Sequence, residues 1–347
     1  MTKIALWGTG SYAERILASL PELENQIKFF VDNNPKRPNT FHGKPVIGPE
    51  QLAPHSFDAL FISSVFHAEI LAQALALGIP GHKILPAAAL FFQRHRASLA
   101  PDVLERLSAV PWWYHRFEIL PGVETPGVCR YKPELLDHQE VRDLTGLRAL
   151  DIGAWDGPYT LEMTRRGAEV TAFDIQVPTH CGFDTMCKVN GLPTRHICAN
   201  VYDLLPQQHG TFDLVTFFGV YYHLKNPLGA LANINAVLKP GGIVLVEGAI
   251  LEGAPSADAA WAGKEGFVAA MADVPMACYI KAKYEEEWSN WWVPNLTCLR
   301  DWVESSGFEI LRSTTMEDSR RGVVVARKIS EAPLEHPVLP AACSLPV

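Results

Sequence analysis

Ala149-Leu150-Asp151-Ile152-Gly153-Ala154-Trp155-Asp156-Gly157 decides how the larger part of this chain folds. The apolar run over 147–152 reads as a buried strand with an acid near its end. Small residues then turn the chain into a helical pattern over 159–166. Gly153 lets the backbone approach a ligand closely, and Gly157 opens the helix with no side chain in the way. A strand, a glycine turn and a helix in that order begin an open α/β sheet.

Working outward, the same alternation continues. Strands are expected over 169–173, 194–198, 212–217 and 243–247, and helices over 179–190, 227–238 and 296–306. Lys239-Pro240-Gly241-Gly242 is expected to end one helix and start the next strand. A last pair over 309–313 and 323–327 supplies an antiparallel edge, for seven strands in all. A second, smaller unit precedes this one. Strands over 3–7, 27–31, 59–62 and 82–85 alternate with helices over 12–20 and 66–77. The expected fold class is therefore α/β, two tandem Rossmann-like domains, the second built on a seven-stranded sheet. The expected division is 1–90, a small Rossmann-like domain; 91–130, a linker and lid segment; 131–330, the larger domain; and 331–347, a flexible tail.

The acids of the turn choose the ligand. Asp151 and Asp156 would repel a pyrophosphate and attract an ammonium or a sulfonium. S-adenosylmethionine supplies both cations, which favours it over a nicotinamide dinucleotide. Asp174 closes the second strand, where a carboxylate accepts ribose hydroxyls, with Ile175 beside it. Asn200 and Val201 follow the third strand and are placed to read an adenine edge. Phe218 and Gly219 end the fourth. Trp155 completes the expected cofactor set of Asp151, Gly153, Gly157, Asp174, Ile175, Asn200, Val201, Phe218 and Gly219. His223 is the nearest candidate base by position, His115 the second, and Tyr222 would orient an acceptor. Trp113, Tyr114, Arg116, Trp292 and Arg321 are expected at the acceptor, with Trp112, Trp288 and Trp291 in the same aromatic clusters. The stretch over 252–287 reads as an insertion that shapes the acceptor pocket.

Composition limits the partners. Hydrophobic residues make up 48% and charged residues 20%, values of a globular protein. No apolar run has the ~20 residues of a membrane span, so a cytoplasmic location is expected. Seven cysteines without a CxxC pair read as free thiols, and no metal site is expected. Residues 1–110 carry 10 basic and 9 acidic side chains, which leaves 20 and 29 for the remainder, against a whole-chain charge of −8. An acidic larger half is a poor partner for nucleic acid and favours a small-molecule substrate. A homodimer is compatible with this composition.

The stretches LDIGAWDGPYT, FDIQ, FDLVTFFGVYYHLKNPLGAL and LKPGGIVLVEGAI resemble class I S-adenosylmethionine-dependent methyltransferases. GVYYHLKNP, WWYHRFEILPGVETPG, WVPNLTCLRDWVESSGFEIL and RRGVVVARK resemble the branch that contains the bacterial tRNA wobble-uridine carboxymethyltransferase. The resemblance implies S-adenosylmethionine as cofactor and places Tyr222 and Arg321 near the transferred group. The carboxymethyltransferases add a lysine there. The corresponding region here reads Pro111-Trp112-Trp113-Tyr114-His115-Arg116, so plain methyl transfer to oxygen or nitrogen is the expectation. Carboxymethyl transfer and intramolecular cyclisation are the alternatives on the same cofactor. In the first unit, Gly8-x-Gly10-x-x-Ala13 with Asp32 fits a dinucleotide fingerprint, which leaves an NAD-dependent oxidoreductase as a third reading. A non-catalytic cofactor-binding scaffold is a fourth.

Overall fold

A computed structural model describes residues 3–251, 265–280, 289–316 and 320–332. Trp288, most of the insertion over 252–287 and nearly all of the expected tail lie outside them. The chain forms two compact units. The first contains Met1–Lys132, Ala154–Leu161 and Gln176–Thr194. The second contains Pro133–Gly153, Glu162–Ile175 and Arg195–Val347.

The first unit is built on six strands: β1 (Ile4–Trp7), β2 (Ile27–Val31), β3 (Thr40–Phe41), β4 (Lys44–Ile47), β5 (Ala59–Ile62) and β6 (Ile84–Pro86). Their order is β3-β4-β2-β1-β5-β6, parallel except for the β3–β4 hairpin. Every residue of β1 is buried, as a strand covered on both faces must be. After β1 the chain turns at Gly8, φ +117°, where a Cβ would lie 2.4 Å from the Ser63 carbonyl oxygen. Only glycine fits that turn. The fourth strand starts at Ile84, because Gly81–Lys83 form a 3₁₀ turn first. The β3–β4 hairpin has no counterpart among the expected elements. Its two-residue loop is His42-Gly43, both at positive φ, where a hairpin signal is normally Asn-Gly or Asp-Gly.

His42 holds this hairpin by its ring. Nδ1 lies 3.0 Å from Glu24 and Nε2 2.8 Å from Glu14. The hydrogen bond to Glu14, with that to Glu24, raises the imidazole above its ordinary value of 6.5, although burial opposes it. A raised folded pKa stabilises the fold fully below the unfolded value and is lost as pH rises through the folded one. His42→Asn tolerates the same backbone but cannot take a charge. The stability gap between wild type and this variant is therefore expected to be widest near pH 5.5 and to shrink by pH 9, as read from thermal unfolding midpoints.

The second unit carries β7 (Arg148–Ile152), β8 (Glu169–Asp174), β9 (Arg195–Cys198), β10 (Phe212–Phe218), β11 (Leu238–Ala249), β12 (Phe308–Thr315) and β13 (Arg321–Lys328). They form one seven-stranded sheet in the order β9-β8-β7-β10-β11-β13-β12. The first five strands are parallel, and β13 pairs antiparallel with both β11 and β12. The chain reverses direction across the sheet between β7 and β10, so the crevice at the carboxyl ends opens there. Lys239-Pro240-Gly241-Gly242 does not precede its strand as expected. It lies within β11 as an irregularity, with Leu238 facing Phe212 and Ile243 facing Leu214. Gly241, φ +77°, supplies the left-handed residue that such a bulge needs.

Two helices are fastened at their starts by asparagines. Asn226 accepts from Gly229 N–H ahead of Pro227–Val237, and Asn295 accepts from Cys298 N–H ahead of Leu296–Ser305. Their apolar faces join the core of Leu150, Phe173, Phe217, Val246, Leu299 and Val324. In the first unit, Phe183–Asn190 starts four residues later than expected and ends at Gly191 in the left-handed conformation.

Candidate active site

The tips of β7, β8 and β10 carry the chemistry of the second unit. Asp151, 2% exposed, accepts from Thr216 Oγ1 at 2.8 Å across the β7–β10 pair. Gly153 leaves the strand at φ +79° while its N–H donates to the Phe173 carbonyl at 2.8 Å. Asp174, the last residue of β8, is 5% exposed, and its carbonyl accepts from Ala199 N–H. Burial pushes the neighbouring His196 imidazole down against the pull of Asp174. Ile175 beside Asp174 is exposed.

Beyond β9, the side-chain oxygen of exposed Asn200 accepts from Tyr202 N–H and caps the turn Val201–Asp203. Val201 is buried in the core, so its side chain is closed to a ligand. At the end of β10, Phe218 is buried and Gly219 takes φ +71°, its N–H donating to the Glu247 carbonyl. A Cβ at Gly219 would come within 3.5 Å of the Tyr222 hydroxyl and 3.8 Å of Arg321. That missing side chain, two buried acids at neighbouring tips and glycines at both turns suit an adenosyl donor: a ribose for Asp174 and a cationic end for Asp151.

Tyr222 and His223 lie on the short turn Tyr221–His223. Arg321 donates to the Tyr222 oxygen at 3.1 Å and forks onto Glu247 at 2.6 and 2.7 Å. Sequence reasoning passed over Glu247. Its signal was a single acid inside the apolar run Ile243–Gly248, since a buried carboxylate demands a partner. His223 Nδ1 meets the Ser289 hydroxyl at 2.9 Å and its carbonyl at 3.3 Å. Trp291 N–H donates to the Tyr222 carbonyl at 2.7 Å, and Trp292 Nε1 to the Lys225 carbonyl at 3.0 Å. Trp292 also packs 5.1 Å from the exposed ring of Tyr279.

The remaining expected residues belong to the first unit, and two of them change role. Trp113, assigned to the acceptor, is 0% exposed. It packs on Phe92 and Phe117 and fills the space where a Gly182 side chain would be, so it is core. Asp156, assigned to the donor's cation, is also 0% exposed. Its Oδ2 accepts from Tyr114 and His115 N–H, both at 2.7 Å, and its Oδ1 from Gly182 N–H at 3.0 Å. It staples backbone. His115 keeps Nδ1 3.6 Å from the same carboxylate, too long for a hydrogen bond. Trp155, at φ +47°, sets its ring among Trp112 and Tyr114. Gly157 gives room to Met186 and Phe183. Tyr114 is 36% exposed, and Arg116 pairs with Arg130 in a short parallel ladder. In the Gly8 turn, Asp32 is taken by Thr9 N–H, the Thr9 hydroxyl and Asn34 N–H. The acid of the dinucleotide fingerprint thus closes its own loop.

Residues 92–313 match the family model described as a methyltransferase domain. The chain belongs to the methyltransferase-domain family. It carries a class I S-adenosylmethionine-dependent methyltransferase domain. Residues 1–85 match the family described as C2185-like, N-terminal. The chain is similar to curated tRNA U34 carboxymethyltransferases. That of Syntrophotalea carbinolica is 26% identical over 181 residues, 50% of each chain. That of Pseudomonas aeruginosa (strain LESB58) is 28% identical over 236 residues, 65% of this chain and 66% of the relative. The chain spans about half the length of the first of these. Among solved structures, Burkholderia thailandensis 1,6-didemethyltoxoflavin-N1-methyltransferase with bound S-adenosylhomocysteine is 19% identical. The match covers 54% of this chain and 72% of that one, at a TM-score of 0.40. No helix of the described residues is long and apolar enough to cross a membrane.

Proposed function

We propose that this protein transfers the methyl group of S-adenosylmethionine to an oxygen or nitrogen of a small-molecule acceptor in the cytoplasm. The observation that carries the reading is Asp174, a buried carboxylate at the tip of the strand beside the glycine turn. Its two oxygens suit the two ribose hydroxyls, and Asp151 suits the donor's ammonium. The Asn200–Val201 backbone and Phe218 frame the adenine. When bound, the donor supplies an electron-poor methyl on a good leaving group. The protein's own task is then to position and desolvate. Tyr222 orients the acceptor, and His223, its Nδ1 held by Ser289, accepts a proton through Nε2.

The first unit, on this reading, is a second Rossmann-like body used for docking. Its fingerprint acid is engaged by Thr9 and Asn34, which weighs against a nicotinamide dinucleotide there. A second reading, carboxymethyl transfer to RNA, is favoured by the names of the relatives and by the Tyr222–Arg321 pair. Against it stand the missing lysine and the acidic charge balance of residues 111–347.

Calorimetry tests the donor. S-adenosylmethionine and S-adenosylhomocysteine are expected to bind, and NADH is not. Tighter binding of the carboxylated donor together with product on a tRNA transcript would replace the first reading with the second. For an O–H acceptor, His223→Gln is expected to lower kcat about tenfold with donor affinity unchanged. His223 is partly exposed, so water competes as the proton acceptor and the loss falls below the ~100-fold or more of an enclosed base. Full activity at neutral pH would remove it as the base.

A further inference from the structure

We propose that Glu247 is a positioning residue that acts through Arg321 to aim the Tyr222 hydroxyl. The inference rests on the donor reading above and deepens it. Three side chains from three places in the second unit form one relay. Glu247 is 3% exposed in β11, Arg321 opens β13, and Tyr222 lies just past β10. Both Glu247 oxygens are engaged by Arg321, Oε1 by Nε at 2.6 Å and Oε2 by Nη2 at 2.7 Å. This parallel fork fixes the plane of the guanidinium. The remaining nitrogen, Nη1, then has one direction to point, and it meets the Tyr222 oxygen at 3.1 Å. Since Arg321 donates, the phenol proton is directed away from it.

The relay is not needed to hold the sheet. β11 and β13 already pair antiparallel from Ile243↔Arg327 to Ala249↔Arg321. A buried ion pair seldom stabilises more than apolar residues of the same volume, because desolvation offsets the attraction. Burial does disfavour the Arg321 charge, but Glu247 and Tyr222 together more than offset this and hold it well above its ordinary range. The pair is best explained by what it aims at. The Tyr222 hydroxyl and Arg321 lie beside the space left by Gly219, at the carboxyl end of the sheet.

The test uses the full chain. Glu247→Gln keeps the shape and removes the charge, so the fork weakens and Nη1 loses its fixed direction. In a crystal of this variant soaked with S-adenosylhomocysteine, the Tyr222 oxygen is expected to leave Arg321 Nη1 by more than 1 Å. With whichever acceptor the wild type methylates from labelled S-adenosylmethionine, kcat is expected to fall about tenfold. The acceptor KM and the S-adenosylhomocysteine Kd should stay within threefold. Tyr222→Phe combined with Glu247→Gln should lose no more than Tyr222→Phe alone, as members of one relay do. An unmoved Tyr222, or additive losses in the double variant, would overturn the relay. Failure of the wild type to bind S-adenosylhomocysteine would instead overturn the donor reading.

Discussion

Asp174→Ala is expected to weaken S-adenosylhomocysteine binding about a hundredfold. The carboxylate sits at the tip of β8, 5% exposed, where the proposed reading puts the ribose of the donor, as an acid at this strand end does in dinucleotide-binding sheets. A hydrogen bond to a charged group contributes roughly 1.5–3 kcal/mol. Two such bonds exceed the ~2.7 kcal/mol that a hundredfold change in Kd requires, with something left for their shared desolvation. Asp174→Asn keeps one acceptor and adds a donor, so its loss should be smaller, about tenfold. The proper measurement is calorimetry on variants whose unfolding midpoint is unchanged, because Asp174 also lies beside the half-buried imidazole of His196. Unaltered affinity in Asp174→Ala would remove the ribose from this tip, and with it the placement of the whole donor.

Much of this architecture could be read along the chain because its causes are local. The glycine turns at Gly153 and Gly157 take positive φ, a need that sequence exposes directly. The parallel strands are apolar runs, and the antiparallel edge follows the last helix as expected. What escaped reading depends on partners far away. Asp156 meets Tyr114 across 42 residues and Gly182 across 26. From sequence it was one of two acids in a turn, and nothing local told the staple from the cation contact. Trp113 lies in a run of three aromatics, and only the fold says which of them is sealed against Gly182. Glu247 and Arg321 are 74 residues apart, so the charge inside the strand was visible but its partner was not. The β3–β4 hairpin was missed for a different reason: His42 occupies a left-handed position that its two glutamates help to hold.

The staple gives the second large effect. Asp156→Ala would leave the amides of Tyr114, His115 and Gly182 without their acceptor at a position closed to water. Each buried donor left unpaired costs about 1–3 kcal/mol, so the first unit should lose at least about 3 kcal/mol. At roughly 2–4 °C per kcal/mol for a unit of this size, the unfolding midpoint should drop by about 10 °C. The loss should be local, because the three amides and the carboxylate all belong to the first unit. Hydrogen exchange can separate this from a general weakening: the amides of Tyr114, His115 and Gly182 should exchange much faster, while those of β10 and β11 keep their protection. Asp156→Asn should be milder, since its carbonyl can still accept from Tyr114 and His115 N–H, but its amide group must then face Gly182 N–H. If Asp156→Ala instead kept its midpoint and lost only donor affinity, the carboxylate would belong to the cation after all, and the original reading of the turn would stand.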